Sequence, residues 1–208
     1  TIGCNTFVFS HIFKSKTYHI ECLDIGGSSV YATSRSLFYH DIDGILLVHD
    51  LSNRNSFTNL NQWITECVGP DFRCKEIQLE TDVHHRAKDK HRLMEVTSSN
   101  GNRCAVIVIG NKRDQVTSVT AFPGPLGDNI YISSLNADTF KPATYEGDRF
   151  RAFLDQVIST RHEPMLRKTS TPTQSPSRIT STIGSLMGFV SSNSPTILRS
   201  QKDDDLVQ

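Results

Sequence analysis

Two short runs rich in apolar and β-branched positions, Thr6 to Phe13 and Thr17 to Leu23, are separated by Lys14-Ser15-Lys16. That pattern predicts a β-hairpin. Gly44 to Val48 and Ala105 to Ile109 are continuously apolar, the pattern of strands buried on both faces. Between them Phe57, Leu60, Ile64 and Cys67 recur at helical spacing, with Asn53 or Asn55 placed to cap the helix. Ile130 to Ser133 reads as a further strand. Phe150, Phe153, Leu154, Val157 and Ile158 then form an apolar stripe that marks a core-facing helix. The order predicts an α/β sheet with covering helices.

Two stretches break this pattern. Residues 71–103 are polar with mixed charge and exceed ordinary connections, so they are expected to form a solvated insertion loop. The loop contains His84, His85 and His91, with Cys67 and Cys74 nearby, but the spacing matches no zinc pattern. From about Pro164 the chain is rich in serine, threonine and proline, and it is expected to be disordered. Thr171-Pro172, Ser175-Pro176 and Ser194-Pro195 in this tail have the form of proline-directed phosphorylation sites. Ile179, Ile183, Leu186, Met187 and Val190 share one helical face, interrupted by Gly184 and Gly188, as a partner-docking segment would. The expected division is therefore a domain over 1–163 and a tail over 164–208.

Composition narrows the class. Lysine and arginine (22) equal aspartate and glutamate (22), so no global basic field points to nucleic acid or an anionic membrane. Five cysteines without framework spacing suggest free thiols in a reducing compartment. No apolar run reaches the roughly 18 residues of a membrane span. The first residue is Thr1 rather than methionine, which suggests a fragment. No cysteine follows Cys104, so no prenyl anchor is expected. Cytoplasm or nucleus is the expected location.

The chemistry lies in two motifs at predicted strand ends. Asp24-Ile25-Gly26-Gly27 closes the first hairpin, and Asn111-Lys112-Arg113-Asp114 closes the Ala105 strand. Asp24 is placed to help hold a metal that bridges terminal phosphates. Gly27 lets backbone approach a γ-phosphate where a side chain would collide. Asp114 can accept from the ring N–H and exocyclic amine of guanine, and adenine would leave that carboxylate unpaired. The Lys112 stem can lie along the base plane, and the Asn111 amide can tie neighbouring loops together. No G-x-x-x-x-G-K-[ST] phosphate loop occurs in the 208 residues.

These motifs, with Thr1-Ile2-Gly3, Ser34 to Tyr39, Asp43 to Ser52, Ser56-Phe57 and Trp63, resemble a Rab-type small GTPase of the Ras superfamily. The likeness is greatest to the Rab-like type-three branch and its plant light-insensitive-period relatives, over about residues 1 to 163. The resemblance implies a Ras-like P-loop G domain with a mostly parallel sheet flanked by helices, here lacking the first strand and phosphate loop. It implies GTP or GDP with magnesium as ligands. Thr1 falls at the switch-one threonine that ligates magnesium, and Asp24 would reach the metal through water. Ser134 and Leu135 fall near the last nucleotide motif, with Leu135 where the family has alanine.

Two functions follow as expectations. One is a GTP/GDP switch with unidentified protein effectors and weak hydrolysis, since Ser28 stands where Ras-like enzymes carry the water-orienting glutamine. The other is a non-catalytic pseudo-GTPase interaction protein. In a Ras-like sheet the absent strand lies between the third and fourth. Its loss is expected to leave two central edges unpaired and nucleotide binding impaired.

Overall fold

Lys14 and Ser15 both take positive φ, 49° and 61°. The tight type I′ hairpin turn requires this of both central residues. They join β1 (Cys4–Phe13) to β2 (Lys16–Ile25) in continuous antiparallel register, from Phe13 opposite Lys16 to Cys4 opposite Ile25. The computed structural model describes residues 3–78, 92–119, 129–162 and 195–202. After β2 come α1 (Ala32–Arg35), flanked by two 3₁₀ turns, and then β3 (Gly44–Asp50). The short α2 (Arg54–Thr58) leads into α3 (Leu60–Val68), and β4 (Arg73–Gln78) and β5 (Arg92–Thr97) follow. The remainder is β6 (Arg103–Asn111), β7 (Asn129–Tyr131), α4 (Tyr145–His162) and β8 (Pro195–Lys202). Of the two candidate caps it is Asn53 whose side chain accepts the Asn55 amide, at 3.1 Å.

One sheet runs β1-β2-β8-β3-β6-β5-β4, with β7 also paired to β6. It is an α/β sheet flanked by helices, as expected, but it is mixed. Only β3–β6 and β6–β7 are parallel among its pairings. On one face α4 packs Phe150, Phe153, Leu154, Val157 and Ile158 against Ile20, Leu46, Ile107 and Leu198. On the other, Leu60, Trp63 and Ile64 of α3 pack against Ile45, Val106, Val108 and Ile197. A Cβ on Gly44 would run into Val157 and Phe153, so glycine there sets how closely α4 lies on β3. Burial pushes the Cys22 and Cys67 thiols up to about 12, which suits packing rather than reactivity.

Residues 195–202 of the tail, and the gap, depart from the expectation, and one strand accounts for both. β8 comes from the stretch expected to be disordered, and it occupies the slot between β2 and β3 expected to be empty. Tyr18 to Asp24 pair with Lys202 to Thr196 on one side. Gly44 to Leu47 pair with Leu198 to Pro195 on the other. Composition hid the strand because only Ile197 and Leu198 are strongly apolar. Its partners are supplied by the sheet, whose central edges hold backbone groups that must be satisfied. Thr171, Ser175, Ser194 and the Ile179–Val190 face lie outside the described residues.

The expected solvated loop is likewise corrected at both ends. Residues Arg73–Gln78 and Arg92–Thr97 form an antiparallel hairpin that extends the sheet beyond β6. The signal was masked by Glu95, a buried charge between the buried Met94 and Val96 that lies 3.6 Å from Arg103. His84, His85 and His91 lie outside the described residues.

His49, on β3, is buried edge-on against Phe57, with ring centroids 5.1 Å apart. Burial lowers its pKa from the ordinary value to about 4, although neighbouring Asp50 pulls the other way. The unfolded chain therefore takes up a proton on this ring at higher pH than the folded one. Stability should fall as pH drops from about 6.5 to about 4, by up to about 3 kcal/mol. Denaturant melts across that range should show the loss, and His49→Leu should flatten it between pH 6.5 and 5.

Candidate functional site

Strand directions set the site. β2 and β3 both run antiparallel to β8, so they run parallel to each other, and β6 runs with β3. The carboxyl ends of β2, β3 and β6 therefore lie at one end of the sheet, the position where ligands gather in open α/β folds. That end holds Asp24, Asp50 and Asn111. Asp50 and Asn111 are direct partners in the β3–β6 register.

The second motif is assembled around one amide. Asn111 is buried, and its Oδ1 accepts the Lys112 amide at 2.7 Å and the Ser134 amide at 3.1 Å. It thereby binds the end of β6 to the loop after β7. Lys112 sits in the left-handed region (φ 62°, ψ 39°), which turns the chain sharply. The next residue, Arg113, donates its amide to the Ile132 carbonyl at 2.8 Å. Asp114 faces solvent, and its Oδ1 accepts the Ser133 hydroxyl at 2.5 Å. Ser133 was not among the sequence candidates. Its link to Asp114 is made by the fold and carries no sequence signal beyond its place at a strand end. Leu135 is exposed, and its amide reaches the Ser133 hydroxyl at 3.4 Å.

Asp50 was also missed. Its carboxylate takes the Lys112 ammonium at 2.6 Å on one oxygen and the Ser52 hydroxyl and amide at 2.6 and 2.8 Å on the other. Burial favours the neutral acid, but the bonds from Lys112 and Ser52 outweigh it and hold the Asp50 pKa below its usual range. The ammonium end of Lys112 is thus drawn to Asp50.

The first motif is arranged differently. Asp24 is buried at the end of β2, where Thr196 of β8 pairs with it on one side. The Gly26 amide donates to the Gly3 carbonyl at 2.7 Å, folding the first motif back on the start of β1. Gly27 is exposed beyond it. Thr1 lies outside the described residues. Ser28 caps the following 3₁₀ turn, its hydroxyl accepting the Val30 amide at 3.4 Å.

A buried arginine secures the segment after this motif. Arg35 donates from Nε and Nη2, one edge of its guanidinium, to the two carboxylate oxygens of Glu66 of α3 at 2.6 and 3.0 Å, and from Nη1 to the Ser28 carbonyl at 2.8 Å. It also lies over the Trp63 ring, 4.8 Å from the centroid. The Tyr39 hydroxyl donates to the same Glu66 at 2.8 Å. Burial would raise the Glu66 pKa, yet the bonds from Arg35 and Tyr39 hold it low.

The comparisons fit this geometry. The Ras family model matches residues 1–77. Rab-like protein 3 of Bos taurus is 30% identical over 184 residues, covering 78% of this chain and 72% of that protein. The Homo sapiens Rab-like protein 3 is 29% identical over the same length and shares. The chain belongs to the Rab-like small GTPases of the Ras superfamily. The Small GTPase-like protein LIP2 of Arabidopsis thaliana is 43% identical over a shorter 79 residues, 32% of this chain and 24% of that protein. Guanine-nucleotide binding is the property expected of this family. No helix among the described residues is long and apolar enough to cross a membrane.

The residues present fit the two halves of a nucleotide unequally. Asn111, Lys112, Asp114 and the Ser133–Leu135 loop form one bonded cluster with an exposed carboxylate, suited to a purine edge. Among the described residues, two groups at the phosphate end are not available as donors: Arg35 is committed to Glu66, and β8 begins with Pro195, which has no N–H to give. Replacing Asn111 with alanine should leave the Lys112 and Ser134 amides without their acceptor. The expected loss is about 1–3 kcal/mol of stability. Equilibrium denaturation would measure it, with faster amide exchange at Ser134 and Leu135 as the local sign.

Proposed function

We propose that this chain is a Rab-like guanine-nucleotide module in which Asp114 reads the base and the protein's output is partner binding. The observation that supports it is the cluster in which Asn111 accepts the Ser134 amide and Ser133 orients Asp114. A bonded carboxylate at fixed position accepts the paired donors of guanine and rejects adenine, which presents an acceptor there. Lys112 lies against the base through its stem while Asp50 takes its charge. Ser134 and Leu135 line the far side through backbone.

GTP or GDP with magnesium is the ligand proposed for the family's site here. Asp24, reaching the metal through water, and Thr1 would hold magnesium. Gly27 would give the γ-phosphate room. The metal would supply neutralisation of phosphate charge. No chemical step is assigned to it, because the described residues offer few phosphate donors. The second reading, a non-catalytic interaction protein, is favoured by one observation: β8 fills the slot that the family gives to the strand leading into its phosphate loop. On this reading nucleotide binding is weak and hydrolysis weaker still.

Replacing Asp114 with asparagine should weaken guanine-nucleotide binding about 5- to 150-fold, from loss of a charged hydrogen bond of roughly 1–3 kcal/mol. Xanthine nucleotide, which carries a carbonyl in place of the amine, should become the better ligand. Calorimetric titration of both nucleotides measures this, and unchanged guanine affinity would mean that Asp114 does not read the base.

A serine at position 28 is too short to span from backbone to an attacking water. Single-turnover hydrolysis should therefore be slow, and Ser28→Gln should speed it or leave it unchanged. A fast wild type that slows on gaining glutamine would assign the water to another residue.

A further inference from the structure

The sheet has two outer edges, β4 and β1. Edge strands expose backbone donors and acceptors that can pair with another chain, and charged residues, proline or a bulge normally prevent it. β4 is guarded in this way, since Arg73, Lys75 and Glu76 lie along it. β1 is not. Cys4–Phe13 includes no lysine, arginine, aspartate, glutamate or proline. Its register with β2 runs without a bulge, and among the described residues no strand pairs with its outer side.

The hairpin turn fixes which groups face outward. Phe13 and Lys16 flank a two-residue turn, so they form the hydrogen-bonded pair that closes it. Such pairs alternate along an antiparallel ladder. Those of His11 with Tyr18, Phe9 with Ile20, Phe7 with Cys22 and Asn5 with Asp24 therefore bond inward. The amides and carbonyls of Cys4, Thr6, Val8, Ser10 and Ile12 point away from β2. The side chains of these residues lie on the sheet face opposite α4, since Phe9 packs into the α4 core and His11 meets Asp155 of α4 at 2.7 Å. Thr6 and Ser10 are exposed, and so are the large apolar groups of Val8, at 61%, and Ile12, at 44%.

The order of side chains along this edge is its own complement. Val8 is the middle one of the outward residues. An antiparallel copy related by a two-fold axis at Val8 sets Val8 against Val8, Thr6 against Ser10 and Cys4 against Ile12. Apolar meets apolar and hydroxyl meets hydroxyl at every pair, combinations that stabilise adjoining strands. On the other face Phe7 stands opposite Phe9 of the second copy, and Asn5 opposite His11. All the outward residues then exchange both backbone bonds, about ten in total. The two adjoining registers leave one outward residue unused and set Val8 against a hydroxyl. A two-fold axis also brings each residue near it against its own copy, where a charge would repel itself. A strand without charge fits that position. The Ser10 hydroxyl lies 3.3 Å from His19 Nδ1, a contact that leaves it capacity for another bond.

We propose that the outer edge of β1 is a docking surface for a second copy of this chain, paired antiparallel about a two-fold axis at Val8 so that one sheet runs through both copies. The pairing requires no nucleotide.

Sedimentation equilibrium of the full chain without nucleotide, from micromolar to sub-millimolar concentration, tests it. The mass should pass from one chain to two and go no further. Over the same range the amides of Thr6, Val8, Ser10 and Ile12 should slow in exchange about tenfold or more, while those of Phe7, Phe9 and His11 hold their rates. Val8→Lys places like charges together at the axis and should raise the dissociation constant about tenfold or more. Thr6→Lys and Ser10→Glu should each weaken the pair. The double variant sets each lysine against a glutamate of the other copy, and should bind about fivefold more tightly than either single one. A single-chain mass throughout would overturn the proposal and leave the edge to an extended peptide of another protein. Growth beyond two copies would overturn it too, as would a dimer that tolerates Val8→Lys or leaves the outward amides unprotected. A double variant no tighter than the single ones would refute the axis at Val8. If Val8→Lys fails to fold, the Thr6 and Ser10 variants, changed only at exposed positions, decide.

Discussion

Every backbone amide and carbonyl in the middle of a sheet needs a partner, because water cannot reach it. In this domain that requirement falls on the facing edges of β2 and β3, and an eight-residue tail strand meets it. Both helical layers depend on the result. Ile197 and Leu198 complete the two opposite core clusters, so the strand joins the α3 layer to the α4 layer as well as one half of the sheet to the other. The slot is bordered by strands running the same way, so an antiparallel strand makes the slightly more stable antiparallel ladder on both sides. Asp43 and Arg199 hold it there through side chains.

Away from that seam, buried polar groups act as fasteners between loops. Asn111 and Arg35 do similar work at different places, each taking partners from a second element. Asn111 joins two strand ends by neutral bonds to backbone, where the geometry is short and local. Arg35 spans from the first motif to α3 by a bidentate charge pair stacked on an indole, a combination only a planar guanidinium can make. The Asn111 end of the sheet is thus fixed by backbone contacts and the segment after Gly27 by side chains.

Much of the framework was legible in the chain. The hairpin, the buried runs at Gly44 and Ala105, and the Phe150 stripe each carried a strong period and formed as expected. A cap at Asn53 or Asn55 was legible because asparagine before a helix has a mechanism, and the structure assigns it to Asn53. Of the residues that carry the family resemblance, Asp24, Asp50 and Asn111 lie at one end of the sheet. What could not be read has a common cause. β8 and β5 are strands by virtue of their neighbours: alternation is interrupted in β8 by Arg199 after Ile197 and Ser200 after Leu198, and in β5 by Glu95 after Leu93. Ser133 and Asp50 were missed because their roles consist of partners distant in sequence, Asp114 and Lys112. A single chain does not display such pairs.

The edge of β6 is divided. Arg103 to Val106 pair with β5, and Val108 to Gly110 pair with β7. The β4–β5 hairpin and the loop bearing Ser133 and Ser134 therefore hang from separate halves of one strand, with Ile107 between them. For an experimenter this is a natural port: a reporter or affinity handle spliced between β4 and β5 would attach to the half of β6 farther from Asn111.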